Sequence, residues 1–159
     1  VFYPVHQNVI WTLLLGLLGI RLMEAARAKG KRWLYVLTCA AVVELGFALG
    51  TLGMVDYYGA GVLTVFAFYF FRERKWWCLL GQLAALYWLN VVVLGGQMYP
   101  VTLFGREIEL CEQGLALLAL VPIWLYRGRQ GHHSKAFQYA CYAFYPAHML
   151  VLALLTMIQ

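Results

Sequence analysis

The sequence predicts an all-α fold, a polytopic transmembrane helix bundle of about six spans. Three observations predict it. Hydrophobic residues make up 64% of the chain and charged residues only 12%, with a mean hydropathy of +0.71. A soluble domain carries about twice that charged fraction. The apolar residues fall into runs that approach the roughly 20 residues a helix needs to cross a bilayer. The basic residues gather in every second connection between those runs. At 159 residues there is no room for a separate soluble domain, so residues 1–159 read as a single transmembrane domain.

The first span is expected over Asn8–Met23, with Asn8 at its N-cap position. The second follows over Trp33–Met54, the third over Tyr57–Phe71 and the fourth over Trp76–Gly95. The fifth runs over Leu110–Tyr126 and the sixth over Ala136–Ile158. Each is helical because a segment in lipid must satisfy its own backbone hydrogen bonds. Arg27, Lys29, Lys31 and Arg32 separate the first two spans. Arg72, Arg74 and Lys75 separate the third and fourth, and Arg127, Arg129 and Lys135 the fifth and sixth. The positive-inside rule makes these three loops cytoplasmic and puts both ends of the chain on the outer face. Trp33 and the Trp76-Trp77 pair then fall in a cytoplasmic aromatic belt. The connection between the second and third spans is very short, which holds Asp56 at the outer boundary beside Tyr57 and Tyr58. Pro122 frees the Leu118 carbonyl and kinks the fifth span.

The four cysteines, Cys39, Cys78, Cys111 and Cys141, are scattered singly and read as small packing residues. The net charge of +5 is bound to alternate loops, which argues against nucleic acid as a partner and for the lipid bilayer. No metal-binding spacing and no Walker, nucleophile-elbow or paired-carboxylate signature is present.

Polar residues inside the spans are the candidates for chemistry, because they are expensive there. Glu44 lies near the middle of the second span and reads equally as a structural hydrogen-bonding group or a functional carboxylate. His148 follows Pro146, which cannot donate to the Tyr142 carbonyl. The ring is either a packed histidine bonded to a backbone carbonyl or a functional base, and the rarity of intramembrane histidine favours the base. Tyr145 and Cys141 share its helix face. Gln82 and Asn90 in the fourth span are expected to make interhelical hydrogen bonds, and Glu112 and Gln113 an interfacial helix start. The segment from Tyr126 through Gly128 to Lys135 is the densest cationic patch; it suits phosphates, but composition alone favours ordinary positive-inside anchoring. Phe2-Tyr3-Pro4-Val5-His6 is echoed by Phe144-Tyr145-Pro146-Ala147-His148, without longer flanking similarity.

Three blocks, in order, carry a resemblance along nearly the whole chain. They are the run from Asn8 to Gly16, the run Asp56-Tyr57-Tyr58-Gly59-Ala60-Gly61-Val62 continuing to Arg72, and Leu125–Gly131 followed by Phe144–Leu150. On these the chain resembles the TraX family of membrane proteins, whose named member is the N-acetyltransferase of conjugative F-type pilin. It departs where the family tends to carry Asn-Gly before its basic pair, having Arg127-Gly128 instead. The resemblance implies a bacterial inner-membrane acetyltransferase that uses acetyl-CoA and acts on an amine, in pilin the N-terminal one. Family members extend further upstream with an Asp-His pair, so the chain is expected to match their C-terminal two-thirds. The implied roles fall on Arg127, Gly128, Arg129, Lys135, Arg72 and Lys75 for the co-substrate's phosphates. His148 becomes the base, Tyr145 the oxyanion donor, and Glu44 the group that orients or charge-balances the imidazole. Asp56 and Asn8 would meet the acceptor. A proton-coupled transporter using Glu44 and His148 as a relay, or a non-catalytic component of a secretion or conjugation assembly, fits the same residues.

Overall fold

The computed structural model describes residues 8–103, 106–126, 128 and 134–158. The chain forms two compact units, Val1–Leu125 and Tyr126–Gln159. The first unit opens with α1 (Val9–Ala28), α2 (Arg32–Leu52) and α3 (Tyr58–Phe70). Asn8 caps α1, its Oδ1 accepting from the Ile10 amide at 3.1 Å. This helix continues past the expected end at Met23, because Glu24, Ala25, Ala26 and Arg27 are strong helix formers and Glu24 pairs with Arg27 one turn on. Gly30, at φ +71°, then turns the chain into α2.

Helix α3 is the centre of this unit. Its Gly59, Ala60, Val62, Phe66 and Ala67 are all buried. Phe66, 2% exposed, fills a notch made by the two neighbouring helices. A methyl placed on Gly19 of α1 would stand 2.5 Å from Phe66 Cζ, and one on Gly46 of α2 would stand 2.7 Å from Phe66 Cε2. Small residues therefore admit the ring, which is how helices associate in lipid, where packing rather than the hydrophobic effect drives contact. Met23, Val42, Val55 and Val62 complete the cluster. The outward faces remain apolar, with Leu17, Leu22, Leu37 and Leu45 exposed as lipid-facing residues would be.

The turn from α2 to α3 is held in an uncommon conformation. Met54, Tyr57 and Tyr58 have φ of +47°, +59° and +52°, a region that side-chain-bearing residues rarely adopt. Amide bonds from Val55 to Gly50 O (3.2 Å) and from Tyr58 to Val55 O (2.7 Å) fix it. Thr12 of α1 donates its hydroxyl to Asp56 O at 2.9 Å, tying the turn to the first helix.

Helix α4 (Trp76–Tyr87) runs on into a π-helix over Trp88–Leu94, which ends at Gly95. An antiparallel hairpin follows, β1 (Met98–Leu103) with β2 (Arg106–Cys111), Met98 facing Cys111 and Leu103 facing Arg106. A 3-10 helix (Glu112–Ala119) then passes into α5 (Leu120–Leu125). The second unit contains α6 (Lys135–Ile158), with Pro146 inside it and Ser134 at its start accepting from the Phe137 amide at 3.2 Å.

The structure is helical as expected, with the hairpin as an addition between the fourth and fifth expected spans. Among the described residues, three helices are long and apolar enough to cross a membrane: Val9–Ala28, Arg32–Leu52 and Trp76–Leu94. These mark a membrane protein. Tyr58–Phe70 and Glu112–Leu125 are shorter apolar helices, so the third and fifth expected spans are not full-length here. The fifth is curtailed because its first expected residues, Leu110 and Cys111, pair with β1 instead.

Candidate functional site

The structure gathers polar groups at the end of the first unit where α1 and α3 finish and α2 begins. Glu24 is the hub. Its Oε1 accepts from the Tyr69 hydroxyl at 2.7 Å and from Arg72 Nη1 at 3.3 Å, and lies 3.7 Å from Arg27 Nη1. The Arg72 guanidinium also sits over the Tyr69 ring, 5.0 Å from its centroid. Arg27, Tyr35, Tyr69, Phe70, Arg72 and Glu73 line a cleft of about 240 Å³. Arg27, Arg72 and Lys75 face Glu24 and Glu73 here, which leaves one positive charge in excess, and arginines gathered in this way suit phosphate oxygens.

The neighbouring turn carries its own pair. Lys75 bonds Glu73, and its ammonium lies 5.0 Å from the centroid of the Trp77 ring. The hydrogen bond and then the charge of Lys75 hold the Glu73 carboxyl below the usual range, and the same two effects push Lys75 up. Arg74 donates to the Trp124 carbonyl, and Gln82, 5% exposed, links Phe71 O (2.8 Å) to Trp124 Nε1 (2.7 Å). Gln82 is thus the interhelical bridge the sequence suggests. Asn90 is not, since its Nδ2 bonds Leu86 O within its own helix at 2.9 Å.

The remaining expected residues lie apart from this cluster or outside the description. Asp56 is half-buried in the α2–α3 turn, with its carboxylate free of hydrogen bonds and ion pairs among the described residues. Asn8 is exposed and serves as the α1 cap. Glu44 is exposed on α2, whose buried residues are Val42, Gly46 and Gly50, and it makes no hydrogen bond or ion pair among the described residues. In the second unit, His148 Nδ1 lies 2.9 Å from Phe144 O, and its ring stacks on Phe144 with centroids 5.1 Å apart. A carbonyl only accepts, so Nδ1 carries a proton in this bond. The ring's carbonyl partner is thus Phe144, two residues beyond Tyr142, the residue whose carbonyl Pro146 frees. Tyr145 lies in α6 but its side chain is outside the described residues. Arg127 and Arg129 are also outside them, while Gly128 is exposed at φ +70° and Lys135 begins α6, exposed.

The residues that sequence reasoning missed are Glu24 and Tyr69, and Arg27, which it read only as a loop charge. A signal was available: the ends of α1 and α3 reach the same side of an alternating bundle, so Glu24 one turn before Arg27 and Tyr69 three residues before Arg72 had to meet.

Comparison with known proteins adds one match. No curated protein and no solved structure matches the chain. The family model described as TraX protein matches residues 1–156. Since that match takes in nearly every residue, including the Glu24 cluster, the Asp56 turn and α6, the chain belongs to the TraX family.

Proposed function

We propose that this chain forms the bilayer-embedded part of an N-acetyltransferase that moves an acetyl group from acetyl-CoA to an amine, by family likeness the N-terminus of a conjugative pilin. The observation that carries this reading is membership of the TraX family along residues 1–156. The paired guanidiniums of Arg27 and Arg72 around Glu24 support it, because a co-substrate rich in phosphate needs such groups. In this reading the protein lies in a bacterial inner membrane with about six spans, and its three basic loops face the cytoplasm, where acetyl-CoA is found.

Acetyl-CoA, when bound, supplies an acetyl group activated as a thioester. Arg27 and Arg72 hold phosphate oxygens, with Glu24 and Tyr69 fixing the direction of the Arg72 fork. Lys75, Gly128 and Lys135 belong to the same basic loops, as do Arg127 and Arg129. On α6, His148 takes the proton that the amine nitrogen gives up as the C–N bond forms and the thioester C–S bond breaks, and the proton passes to the departing CoA sulfur, while the bond from Nδ1 to Phe144 O holds the ring. Tyr145 supplies a hydroxyl for the developing oxyanion.

The test is transfer from labelled acetyl-CoA by the full-length protein in nanodiscs, offered a pilin N-terminal peptide and simple amines. Wild type should acetylate an amine, and His148→Ala should lower the rate about a hundredfold. Absence of both transfer and acetyl-CoA binding, in folded protein with a suitable acceptor, would overturn the reading. Full activity in His148→Ala would remove the histidine from the chemistry and leave the enzyme.

A further inference from the structure

We propose that a second cleft in the first unit is a binding site for an apolar primary amine in its ammonium form. The cleft measures about 390 Å³, within the range of small-molecule sites, and its walls come from α1, α3, the π-helix and the Glu112–Leu125 segment. Val9, Leu13, Val65, Phe68, Leu94 and Ile123 make it apolar, so whatever fills it must carry hydrocarbon.

The polar groups in the cleft decide the head group. Asp56 lines it, with no hydrogen bond or ion pair to its carboxylate among the described residues. Asn90 lines it too, although only 8% exposed. Its Nδ2 bonds Leu86 O at 2.9 Å, and a carbonyl partner permits no flip, so Oδ1 is the end left without a partner among the described residues. Thr12 and Thr64 have given their hydroxyl protons to Asp56 O and Ala60 O, both at 2.9 Å, and retain only lone pairs. Four of the polar side chains therefore offer acceptors, while Gln113, the Tyr57 hydroxyl and the second N–H of Asn90 can donate, and the one full charge in the cleft is the Asp56 carboxylate. An anionic head would meet lone pairs and a like charge. A lipid chain would satisfy none of them. An ammonium, with three donors and a positive charge, satisfies the set.

Two backbone features support a built site. The π-helix carries Asn90, and such turns recur where a helix must aim a side chain at a ligand. The left-handed residues Met54, Tyr57 and Tyr58 frame Asp56, and such conformations persist only where the surroundings enforce them. The inference deepens the acyltransferase reading, on which it rests for turnover, by naming the acceptor: an amine on an apolar body, such as a peptide N-terminus followed by apolar residues.

The test measures occupancy rather than turnover. A diazirine-bearing alkyl ammonium and the matching alcohol are photolysed with the full-length protein in nanodiscs, and the adducts are mapped by mass spectrometry. The ammonium should label cleft residues about tenfold more than the alcohol. A peptide with a free apolar N-terminus should compete, and its N-acetylated form should not. Asp56→Asn should lower labelling about tenfold. Ala116→Phe, which fills the cleft and leaves Asp56 in place, should abolish it in protein that remains monodisperse. Equal labelling by the alcohol would mean a lipid chain occupies the cleft, and would overturn the proposal, as would adducts confined to other surfaces. Cleft labelling without any acetyl transfer would sustain this site and overturn the acyltransferase reading; transfer with an unlabelled cleft would do the reverse.

Discussion

Truncating Phe66 to alanine tests whether the notch between α1 and α2 holds the bundle together. In a water-soluble core the change costs about 3–5 kcal/mol, of which a large part is transfer of the ring out of water. In a bilayer the separated helices are still bathed in hydrocarbon, so that part largely drops out. The cavity remains. Roughly 90 Å³ of lost side chain at about 24 cal/mol per Å³ gives about 2 kcal/mol. Gly46→Ala approaches the same contact from the other side. Its methyl would stand 2.7 Å from Phe66 Cε2, 3.2 Å from Phe66 Cζ and 3.1 Å from Val62 Cγ1. Overpacking of that kind costs about 1–3 kcal/mol, and the better helix propensity of alanine returns up to about 1 kcal/mol. Two of those three close atoms belong to the Phe66 ring, so the double variant removes most of the clash and fills part of the cavity. The pair should therefore be about 1–2 kcal/mol less destabilised than the two single changes added together. Unfolding in mixed micelles against sodium dodecyl sulfate, followed by tryptophan fluorescence, measures all three variants. Additivity to within about 0.5 kcal/mol would refute the notch.

Two further outcomes follow from the same contacts. Thr12→Val removes the hydroxyl that bonds Asp56 O and should cost about 1 kcal/mol, with faster amide exchange confined to the turn around Val55 and Tyr58. The Glu73–Lys75 pair contributes stability above the ordinary glutamate pKa and loses it as pH falls through the depressed value of Glu73. At the alkaline end it is lost as pH rises through the raised value of Lys75. Both groups are exposed, so the effect is small. Glu73→Gln should flatten the acid limb of a melting-temperature profile taken from about pH 7 to pH 3, and an unchanged limb would show that the pair does not form.

The helices were readable where apolar runs were long and bounded by charge, as in α1, α2 and α4. Their interior detail was less readable. The hairpin had a sequence signal in the alternation Glu107-Ile108-Glu109-Leu110, but continuous hydropathy over Leu110–Tyr126 outweighed a period of two in so short a stretch. The π-helix gives no compositional sign at all, since Trp88–Leu94 would suit an ordinary helix. At the candidate site, Arg72 and Lys75 were visible as loop cations, and Asp56 as a boundary carboxylate. Glu24 was hidden because one acid beside many bases looks like ordinary helix-end charge. Its importance lies in partners about 45 residues away on another helix, such as Tyr69. Asn90 was legible as a costly polar residue, whereas its bond to Leu86 O follows from local backbone geometry that no spacing predicts.

The shortness of α3 has a consequence for the membrane itself. Its 13 residues rise about 20 Å, against a hydrocarbon thickness of about 30 Å. Asp56 sits just before its start, and Tyr69, bonded to Glu24 and stacked by Arg72, near its end. Water-seeking groups are therefore fixed at both ends of a rod about 10 Å shorter than the hydrocarbon layer, a mismatch that thinned lipid or outward-reaching flanking side chains would accommodate. Where lipid thins to meet such a rod, the insulating layer between the two aqueous phases is about a third narrower than elsewhere. A charged or polar group drawn in from either side has that much less hydrocarbon to cross before it meets protein atoms that can solvate it.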